Sequence, residues 1–518
     1  MQRLFTKNYR SFSLETNTGE IIKSFEGATK AGKALPGDSV EPTEDGCKLI
    51  HRVTHPPLVG VIEFTSKIRY GFTSRNVPLY LFTPYNEAYP PMLLASKETN
   101  RENYIGLAVF EHWDEGTFPR GGLMQILGAC GDLDAEKMAV ALQYSPWSWT
   151  KKSMGEFIVP QTDGRHIVDK PTINIDPPGC NDIDDVVSLW KEDDGSWKLA
   201  ISIADVAAYL AVNPFLEYAE RIGQTLYTPE GRVVRPMFPP RFSENIFSLL
   251  PGEERLCLSL MASWDGETLS DFEWKETILT NWASYTYDTC TQATEIDIPI
   301  LKGIVASLNY DRTDTHKWVE ALMVLYNTKA AELLKTKDAG LLRVHDEPTR
   351  DRLSRIESLG LPANQLAYPA ATYATTDVSG GHWGLAKESY CHASSPIRRY
   401  ADIVNQQTIK AILHNSPSYP LAIYKQHVVT LNRLEKSAKA YDRDCEFIDC
   451  LLAKPGVQVE GLVVEQNEKT SIYVQSWKRM IRCKTDVRLS SGDTVILGFY
   501  AKAGRSWKRK VVYHLEKI

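Results

Sequence analysis

Short runs of alternating hydrophobic and polar residues mark the region from residue 56 to about 150. The pattern is carried by Val59, Val61, Ile62 and Pro78–Phe82, and Gly60 and Gly71 interrupt it. Alternation over short runs, broken by glycine, is typical of half-buried strands separated by turns. We therefore predict a small β-barrel over residues 56–150, with a helix near Asp134–Gln143.

A larger central region, from about residue 165 to 455, mixes strand and helix patterns. Val186–Trp190, the turn Asp194-Gly195 and the alternating run Trp197–Ile203 predict a β-hairpin. Near the end of the region, apolar residues recur at three- and four-residue steps, which predicts one long helix with a single apolar face. These residues are Leu431, Leu434, Ala438, Tyr441, Cys445, Ile448 and Leu452. Lys454-Pro455-Gly456 is expected to end this helix.

The two ends of the chain differ in pattern. Residues 456–518 contain five short strand-like runs separated by turns, which suits an OB fold. The runs are Val457–Val464, Ser471–Val474, Met480–Cys483, Thr494–Tyr500 and Lys510–Leu515. Residues 1–55 are polar and rich in turns, and we predict no function for them.

Composition adds a charge asymmetry to this division. Hydrophobic residues make up 43% and charged residues 24% of the 518 residues, as in ordinary soluble globular proteins. The net charge of −6 does not by itself indicate nucleic-acid binding. Residues 456–518, however, hold 12 Lys and Arg against 6 Asp and Glu. A basic terminal domain on an acidic body fits a nuclease that separates phosphate-binding cations from metal-binding carboxylates.

Cysteine usage and the first residues bear on location. The nine Cys include no CxxC pair, which favours reduced structural thiols in a reducing compartment such as the cytoplasm. The start of the chain carries Arg3, Lys7 and Arg10 without an apolar core, so it does not resemble a secretory signal. A mitochondrial location stays open, although Glu15 and Glu20 weigh against a transit peptide. No stretch approaches the roughly 18 apolar residues of a membrane helix.

The strongest chemical signal is a group of four carboxylates at Asp176, Asp182, Asp184 and Asp185. A Pro-Pro-Gly turn follows the first, so the chain is able to bring Asp176 back beside the others. Carboxylates crowded between apolar strands repel one another, and a divalent cation relieves that repulsion. Oxygen ligands alone suit Mg²⁺ or Mn²⁺, and two ions roughly 3.5–4 Å apart are able to catalyse phosphodiester displacement. A solvated acidic turn is an equally weighted alternative, whereas the spacing excludes an EF-hand.

A second group surrounds Arg398 and Arg399. Ser395 and Pro396 predict the start of a helix, which would place both arginines in its first turn. Cations are unfavourable there, so an anion is expected nearby. Pairing of Arg398 with Asp402 four residues later is one explanation. A bound phosphate, favoured by a helix N-terminus and an arginine fork, is the other, and this segment alone does not separate them.

Together these two groups resemble the RNB catalytic module of the ribonuclease II family. The acidic motif of that family, Asp followed by five residues, Asp, one residue and Asp-Asp, is matched by Asp176, Asp182, Asp184 and Asp185. Residues Ile105–Gln143 resemble the cold-shock-like barrel that precedes this module, and the last sixty-odd residues resemble an S1-type OB fold. Other matching segments are Ile203–Val206, Thr225–Pro229, Pro236–Pro239, Ser243-Glu244, Ser248-Leu249, Arg343–His345, Trp383–Leu385 and Ser395–Asp402.

The resemblance implies a fold and a division of the chain. It implies a multidomain α+β protein in which an RNB catalytic α/β module is flanked by small β-barrels. The expected parts are an N-terminal segment (1–55), a cold-shock-like barrel region (56–150), the RNB domain (165–455) and an S1-type OB fold (456–518). The stretch Cys391–Ser394 departs from the family, which more often has Thr and an aromatic residue there.

The resemblance also implies residue roles. Asp176 and Asp185 are expected to bind the first metal, and Asp182 and Asp184 to complete the second site or orient the attacking water. Arg398 is expected to grip the scissile phosphate and Tyr227 to stack on a base at the 3′ end. The remaining candidate RNA-binding residues are Arg399, Asp442, Lys478, Arg479 and Arg482. His345-Asp346 is expected to be structural because no further His lies at a useful spacing.

The expected function is 3′→5′ exoribonuclease activity with Mg²⁺, or Mn²⁺, as cofactor. Single-stranded RNA would be hydrolysed to nucleoside 5′-monophosphates by a two-metal mechanism on the four Asp residues, with 2′-OH contacts favouring RNA. A catalytically inactive RNB-like RNA-binding protein and an exonuclease acting on DNA are the alternatives. No membrane partner is expected, and membership of a larger RNA-degradation complex stays open.

Overall fold

A computed structural model describes residues 2–98, 102–114, 116–228, 231–366, 368–452, 456–501 and 511–517. The fold is mixed α+β, with a closed β-barrel and further small sheets beside a central sheet, which confirms the predicted class. Among the described residues, no helix combines the length and apolar character needed to cross a membrane.

The N-terminal segment forms an antiparallel five-stranded sheet with strand order β3-β2-β1-β4-β5. Its strands are β1 (Gln2–Thr6), β2 (Ser11–Glu15), β3 (Ile21–Glu26), β4 (Ser39–Pro42) and β5 (Cys47–His51). Leu4, Phe12, Leu14 and Val40 supply its core. The sequence did not reveal this sheet because its strands have only four to six residues and bury few side chains each.

The predicted barrel is a closed structure with neighbour order β10-β8-β7-β6-β9. Its strands are β6 (Leu58–Ile62), β7 (Leu79–Pro84), β8 (Met92–Ala95), β9 (Tyr104–His112) and β10 (Arg120–Ala129). Gly60 is required where β6 crosses β7, since a Cβ there would lie 2.3 Å from the Thr83 carbonyl oxygen. The predicted helix is α1 (Leu133–Tyr144), and Asp132 caps it by accepting from the Ala135 N–H.

A seven-stranded sheet with order β11-β18-β17-β14-β13-β12-β19 lies at the centre of the molecule, and β15 and β16 form a separate hairpin. The strands are β11 (His166–Val168), β12 (Thr172–Asp176), β13 (Asp185–Lys191), β14 (Trp197–Ala204), β15 (Leu226–Tyr227), β16 (Val233–Arg235), β17 (Glu254–Trp264), β18 (Leu269–Thr280) and β19 (Ala283–Thr286). β13 and β14 are the predicted hairpin, paired from Asp185↔Ile203 to Lys191↔Trp197.

Helices cover both faces of this sheet. The helices of the first half are α2 (Val206–Val212), α3 (Ala219–Ile222), α4 (Ile298–Ser307) and α5 (Thr315–Thr336). Leu199, Ile201 and Ile203 of β14 pack with α4 and α5, whereas Ala204 packs with α2 and the later helices. Strand alternation therefore supplies two cores, one on each face of the sheet.

The remaining elements extend the central region. They are β20 (Leu341–Val344), α6 (Arg350–Ser358), α7 (Ala363–Leu366), β21 (Thr372–Thr375), α8 (Tyr400–Leu413) and α9 (Leu421–Leu452). α9 is the predicted long helix: Leu431, Ala438, Tyr441, Cys445 and Ile448 are buried along it, and Leu434 is half-buried. The Leu452 side chain and the predicted stop at Lys454-Pro455 lie outside the described residues.

α9 contacts every other unit of the chain. Arg433 pairs with Glu15 of the N-terminal sheet at 2.6 Å. Lys137 of α1 pairs with Asp449 at 2.5 Å, and the Phe447 ring packs edge-on against Phe499 of the C-terminal sheet. One helix therefore fixes the three small β units around the central sheet.

The C-terminal sheet has the five predicted strands, in the order β24-β23-β22-β25-β26. They are β22 (Gln458–Gln466), β23 (Thr470–Val474), β24 (Arg479–Cys483), β25 (Thr494–Ala501) and β26 (Val511–Lys517). Lys510, predicted to begin the last strand, lies outside the described residues.

A buried ion cluster joins the central sheet to α2 and α8. Asp205 caps α2 through the Ala208 N–H, and its carboxylate contacts Arg165 and Lys410 at 2.6 Å each. Burial acts to raise the pKa of Asp205, but Lys410 and Arg165 overcome it and hold the pKa below its usual value. The charged carboxylate is therefore required to compensate two cations.

We expect Asp205→Asn to destabilise the protein by about 3–5 kcal/mol, because two buried cations lose their nearer counter-charge and keep only Glu276, 3.5 Å from each. Since the folded-state pKa is depressed, this contribution is present at neutral pH and is lost as pH falls through that pKa. Urea unfolding at pH 7, followed by tryptophan fluorescence, measures it. Glu253→Gln is the control, since the Glu253 side chain is 58% exposed and an ion pair of an exposed carboxylate is worth about 0–1 kcal/mol. Equal urea midpoints for the two variants would contradict the expectation.

Candidate active site

The four carboxylates lie at the adjoining ends of two neighbouring strands. Asp176 is the last residue of β12, and Asp185 is the first residue of β13. The connecting loop turns at Pro177–Cys180, where the Cys180 N–H donates to the Pro177 carbonyl and Gly179 has φ +79°. The predicted return of Asp176 toward Asp182–Asp185 is confirmed.

Asp184 is the most buried of the four, with 5% of the residue exposed. Its Oδ1 accepts from the Ile397 N–H at 2.9 Å, and its Oδ2 accepts from Arg398 Nε at 3.3 Å. Burial raises the pKa of Asp184 to about 7, against the opposing effects of Arg398 and the Ile397 N–H. These contacts tie the acidic loop to a segment more than 200 residues later.

Asp176 and Asp185 share one desolvated environment. Burial raises the pKa of Asp176, although the Asn174 amide, which donates to Oδ2 at 2.8 Å, acts to lower it. Burial, followed by the carboxylates of Asp176 and Asp184, raises the pKa of Asp185 well above its usual value. Within the described residues, the Asp185 side chain accepts no hydrogen bond. The electrostatic repulsion between carboxylates that the sequence predicted is therefore present in the structure.

Asp182 lies at the more open side of the loop. Its Oδ1 is 3.5 Å from Cys180 Sγ, and its Oδ2 is 3.4 Å from the hydroxyl of Tyr227. Tyr227 lies on β15, so the residue predicted to stack on a base borders the acidic loop. Whether it stacks on RNA stays a prediction.

The arginine segment differs from its prediction. Helix α8 begins at Tyr400, and Arg398 and Arg399 precede it. Backbone bonds hold this segment out of the helix: the Thr225 N–H donates to the Arg398 carbonyl, and the Tyr400 N–H donates to the Gly223 carbonyl. The predicted placement of both arginines in a first helical turn is therefore wrong. Phosphate binding by Arg398 stays a prediction.

The pairing of Arg398 with Asp402, one of the two explanations considered for this segment, is not found. Arg399 pairs with Asp402: the Nε and Nη2 atoms of Arg399 lie 2.9 and 2.8 Å from the two carboxylate oxygens of Asp402. Because Asp402 also accepts from the Ser395 N–H, its carboxylate is fully engaged. Arg398 instead contacts Asp184 and Ser395 Oγ, and 46% of its side chain is exposed. Arg398 therefore stands beside the carboxylates with part of its guanidinium open to a ligand.

The sequence did not identify Tyr287, a second aromatic residue at this site. It follows β19, which pairs in parallel with β12 so that Thr286 lies opposite Asp176. Burial raises the pKa of Tyr287, followed by the effects of the Asp176 and Asp185 carboxylates. Its ring stacks on His316 with centroids 3.9 Å apart. Only the parallel pairing of two strands a hundred residues apart brings it here, so no local pattern reveals it.

The other candidate RNA-binding residues lie away from the acidic loop. Lys478 and Arg482 are exposed on the C-terminal sheet, and Asp442 is exposed on α9. The Arg479 guanidinium lies over the Phe447 ring at 4.6 Å and 3.7 Å from Asp444, so it helps to attach the sheet to α9. Arg399 is held by Asp402, as described above. RNA binding by these residues stays a prediction.

His345 does have a histidine neighbour that the sequence spacing did not reveal. The His382 ring lies edge-on to it, with centroids 5.0 Å apart, and His345 Nδ1 accepts from the Gly384 N–H at 3.2 Å. Burial, followed by His345 and Arg343, lowers the pKa of His382 to about 4. The pair holds two loops together, which agrees with a structural role.

The donor chemistry of the acidic loop fits a hard divalent cation. Asp176, Asp182 and Asp185 offer only oxygen ligands, and two of them carry raised pKa values that a cation would lower. In the described part of the chain, no group of three or more His, Cys, Asp or Glu side chains is already arranged to hold a metal ion. A cation would have to draw the carboxylates together.

Comparison with known families and proteins gives a consistent result. A model of the RNB domain matches residues 165–297 and 291–415, and a model of the Dis3-like cold-shock domain 2 (CSD2) matches residues 79–145. Ribonuclease R of Vibrio parahaemolyticus is 26% identical over 401 residues, covering 59% of this chain and 47% of that protein. The human exosome complex exonuclease RRP44 is 24% identical over 442 residues, covering 66% of this chain and 45% of that protein. The chain thus spans about half the length of these curated relatives.

Solved structures show the same fold. Mycoplasma genitalium RNase R, in complex with ribose methylated single-stranded RNA, aligns over 100% of both chains with a TM-score of 0.69 and 16% identity. Yeast Ssd1, described as a pseudonuclease, aligns over 96% of this chain and 81% of its own, with a TM-score of 0.63 and 15% identity. Fold likeness therefore extends to both an RNase and a pseudonuclease.

The raised pKa of Asp184 predicts that the ionised carboxylate destabilises the folded protein. Because the folded-state pKa is about 7 and the usual value is 3.8, the folded chain keeps a proton that the unfolded chain has released between those pH values. Stability therefore falls as pH rises through this window. We expect Asp184→Asn to stabilise the metal-free protein at pH 8 by on the order of 4 kcal/mol, with little effect near pH 4.

Urea unfolding in EDTA at the two pH values measures this difference. Asp163→Asn, in an exposed turn, is the matched control and should leave the urea midpoint unchanged. A less stable Asp184→Asn protein at pH 8 would mean that the pair with Arg398 outweighs desolvation.

Proposed function

This chain belongs to the RNB family, and on that premise we propose that it is a metal-dependent 3′→5′ exoribonuclease. It would hydrolyse single-stranded RNA and release nucleoside 5′-monophosphates. The observation that carries the proposal is the position of Arg398, whose half-exposed guanidinium stands beside the desolvated Asp184. A phosphodiester placed against Arg398 would lie between its guanidinium group and the cluster of carboxylates.

Arg398 is the proposed phosphate ligand. Ser395 Oγ and Asp184 fix two of its nitrogens, and no described residue accepts a hydrogen bond from Nη1. A planar guanidinium held in this way is preorganised to donate to a phosphate oxygen. Because its backbone carbonyl is bonded to Thr225, near Tyr227, the phosphate ligand and a base-stacking residue share one rigid support.

Two aromatic residues would border the 3′-terminal nucleotide. Tyr227 lies beside Asp182, and Tyr287 lies beside Asp176 and Asp185. Base–aromatic stacking contributes about 1–3 kcal/mol per base without selecting a sequence. Both rings are half-buried, so each offers a surface for stacking while its position stays fixed.

We propose Mg²⁺, with Mn²⁺ as a substitute, at Asp176, Asp182 and Asp185. When bound, the ion supplies electrophilic stabilisation of the charge that develops on the phosphodiester. Asp184 is the least available ligand, since both of its oxygens already accept hydrogen bonds. Its proposed role is to hold Arg398. Because its pKa of about 7 lies near physiological pH, it is also proposed to take part in proton transfer.

The small β units would guide the strand to the site. Single-stranded nucleic acid is commonly held by OB-type barrels that combine cations with aromatic rings. Lys478 and Arg482 are exposed on the C-terminal sheet and are available to phosphates. RNA is the proposed substrate class partly because a similar structure contains single-stranded RNA.

An inactive RNA-binding protein is the second candidate. The similarity to the pseudonuclease Ssd1 favours it, as does the absence of a preformed metal-holding group among the described residues. Against it stands the Asp185 carboxylate, which is desolvated with no hydrogen bond from the described chain. A bound cation would offset that cost.

A nuclease assay separates these candidates. A 5′-labelled RNA and the DNA of the same sequence are incubated with the protein in Mg²⁺ or in EDTA. We expect shortening from the 3′ end with release of 5′-monophosphates only for RNA with Mg²⁺, because the carboxylates require a cation. Asp185→Asn should lose on the order of 100-fold in rate or more while binding RNA normally. Asp194→Asn, in the exposed hairpin turn, is the matched control.

Each other result assigns a different function. No degradation of either strand, together with normal RNA binding, would identify an inactive RNA-binding protein. Equal degradation of both would identify an exonuclease without sugar discrimination. Activity that persists in Asp185→Asn would remove this carboxylate from the site.

Arg398→Lys should slow the chemical step by about 10²–10³-fold, the loss typical of removing one oxyanion donor. Lysine keeps the positive charge, but its ammonium group lacks the planar set of N–H donors with which Arg398 would contact Asp184, Ser395 and a phosphate together. Single-turnover rates at saturating enzyme measure the effect. Arg350→Lys, at the exposed start of α6, is the control and should leave the rate unchanged. A rate for Arg398→Lys within about twofold of the parent, far short of that loss, would refute the phosphate grip.

A further inference from the structure

A buried amide stands behind the acidic loop. Asn174 shares β12 with Asp176 and lies two residues before it, so both side chains leave the same face of the strand. Only 1% of Asn174 is exposed. Its Nδ2 donates to Asp176 Oδ2 at 2.8 Å, and this bond fixes the rotation of the carboxylate.

A second buried amide continues this contact. Asn281 lies between β18 and β19 and is completely buried. Its Nδ2 donates to Asn174 Oδ1 at 2.8 Å and also to the Leu249 carbonyl at 2.8 Å. One amide nitrogen therefore joins Asn174 to a different loop of the chain.

The loop that contains Leu249 also contacts the Asp182–Asp185 part of the acidic motif. The Leu249 N–H donates to the Ile183 carbonyl at 3.0 Å, and the Ile183 N–H donates to Ser248 Oγ at 3.0 Å. Ile183 stands between Asp182 and Asp184. The two ends of the acidic loop are thus linked through the protein interior, by way of Asn281.

Asn281 maintains this link at a cost. Its Oδ1 is buried and accepts no hydrogen bond within the described structure. An unsatisfied buried acceptor typically costs about 1–3 kcal/mol. A side chain chosen only for packing would avoid that cost, whereas one that must donate two hydrogen bonds at once needs an amide nitrogen.

We infer that Asn281 and Asn174 are positioning residues that hold Asp176 and the Asp182–Asp185 stretch at a fixed separation for one divalent cation. The inference rests on the proposed function. Neither residue touches the cation or the RNA. Outer-shell partners of this kind typically change metal affinity or activity by about 10- to 100-fold when they are removed.

The test measures Mn²⁺ binding directly, by the loss of the free-ion electron paramagnetic resonance signal. We expect Asn174→Thr and Asn281→Ala to bind Mn²⁺ about 10- to 100-fold more weakly than the parent, because the carboxylates lose their fixed separation. RNA affinity in EDTA should be unchanged. Nuclease turnover at saturating RNA should fall, with little change in KM.

Thr172→Val is the matched control. Thr172 lies on the same face of β12, is equally buried and bonds Ser188 Oγ at 2.7 Å, but it has no contact with Asp176. It should lose stability and keep the parent's Mn²⁺ affinity. Asn174→Thr keeps a strand-favouring polar residue, so it decides the question if Asn281→Ala does not fold.

The outcomes are distinguishable. A parent protein that degrades RNA with Mn²⁺, together with Asn variants of parental Mn²⁺ affinity, would overturn the positioning role alone. Equal weakening in Thr172→Val would overturn it as well, because the effect would then follow general destabilisation. A parent that binds no Mn²⁺ would overturn both the metal-dependent function and this inference.

Discussion

The desolvation of Asp176, Asp184 and Asp185 beside Asp182, at the adjoining ends of β12 and β13, is the constraint on which the site depends. Carboxylates in such a place are costly unless each has a partner. Asp184 has Arg398 and the Ile397 N–H, Asp176 has Asn174, and Asp182 has Tyr227 and Cys180. Asn174 and Cys180 are local partners, whereas Ile397, Arg398 and Tyr227 come from distant segments. The carboxylate cluster therefore fixes where the arginine turn and β15 must dock.

The long helix α9 places the small β units around that site. Ion pairs and ring contacts attach it to the N-terminal sheet, to α1 and to the C-terminal sheet. A chain of small β domains would otherwise be free to move through its linkers. With one helix as their common support, a strand of RNA bound by these units would meet the carboxylates in a defined direction.

The sequence predicted the features that depend on nearby residues, but it did not predict which distant segments of the chain lie together. The acidic motif, the hairpin and α9 depend on patterns within a few dozen residues, and all three were found. Asp402, four positions away, was one of two anions considered for Arg398, but the carboxylate that it contacts is Asp184, 214 residues earlier. Tyr287 and Asn281 join the site only through the parallel pairing of β19 with β12. The N-terminal sheet was missed because its short strands share their core with the barrel.

Fold alone does not decide between an active and an inactive enzyme, since both kinds of protein share this one. Two residues that are costly to bury bear on the choice. The desolvated Asp185 has no hydrogen-bond partner in the described structure, and Asn281 leaves a buried acceptor unsatisfied. On the proposed function, a bound cation would offset the cost of Asp185, and the two hydrogen bonds donated by Asn281 would hold the carboxylates that bind it. The two features therefore have one explanation under that proposal, and binding RNA alone gives neither of them a role.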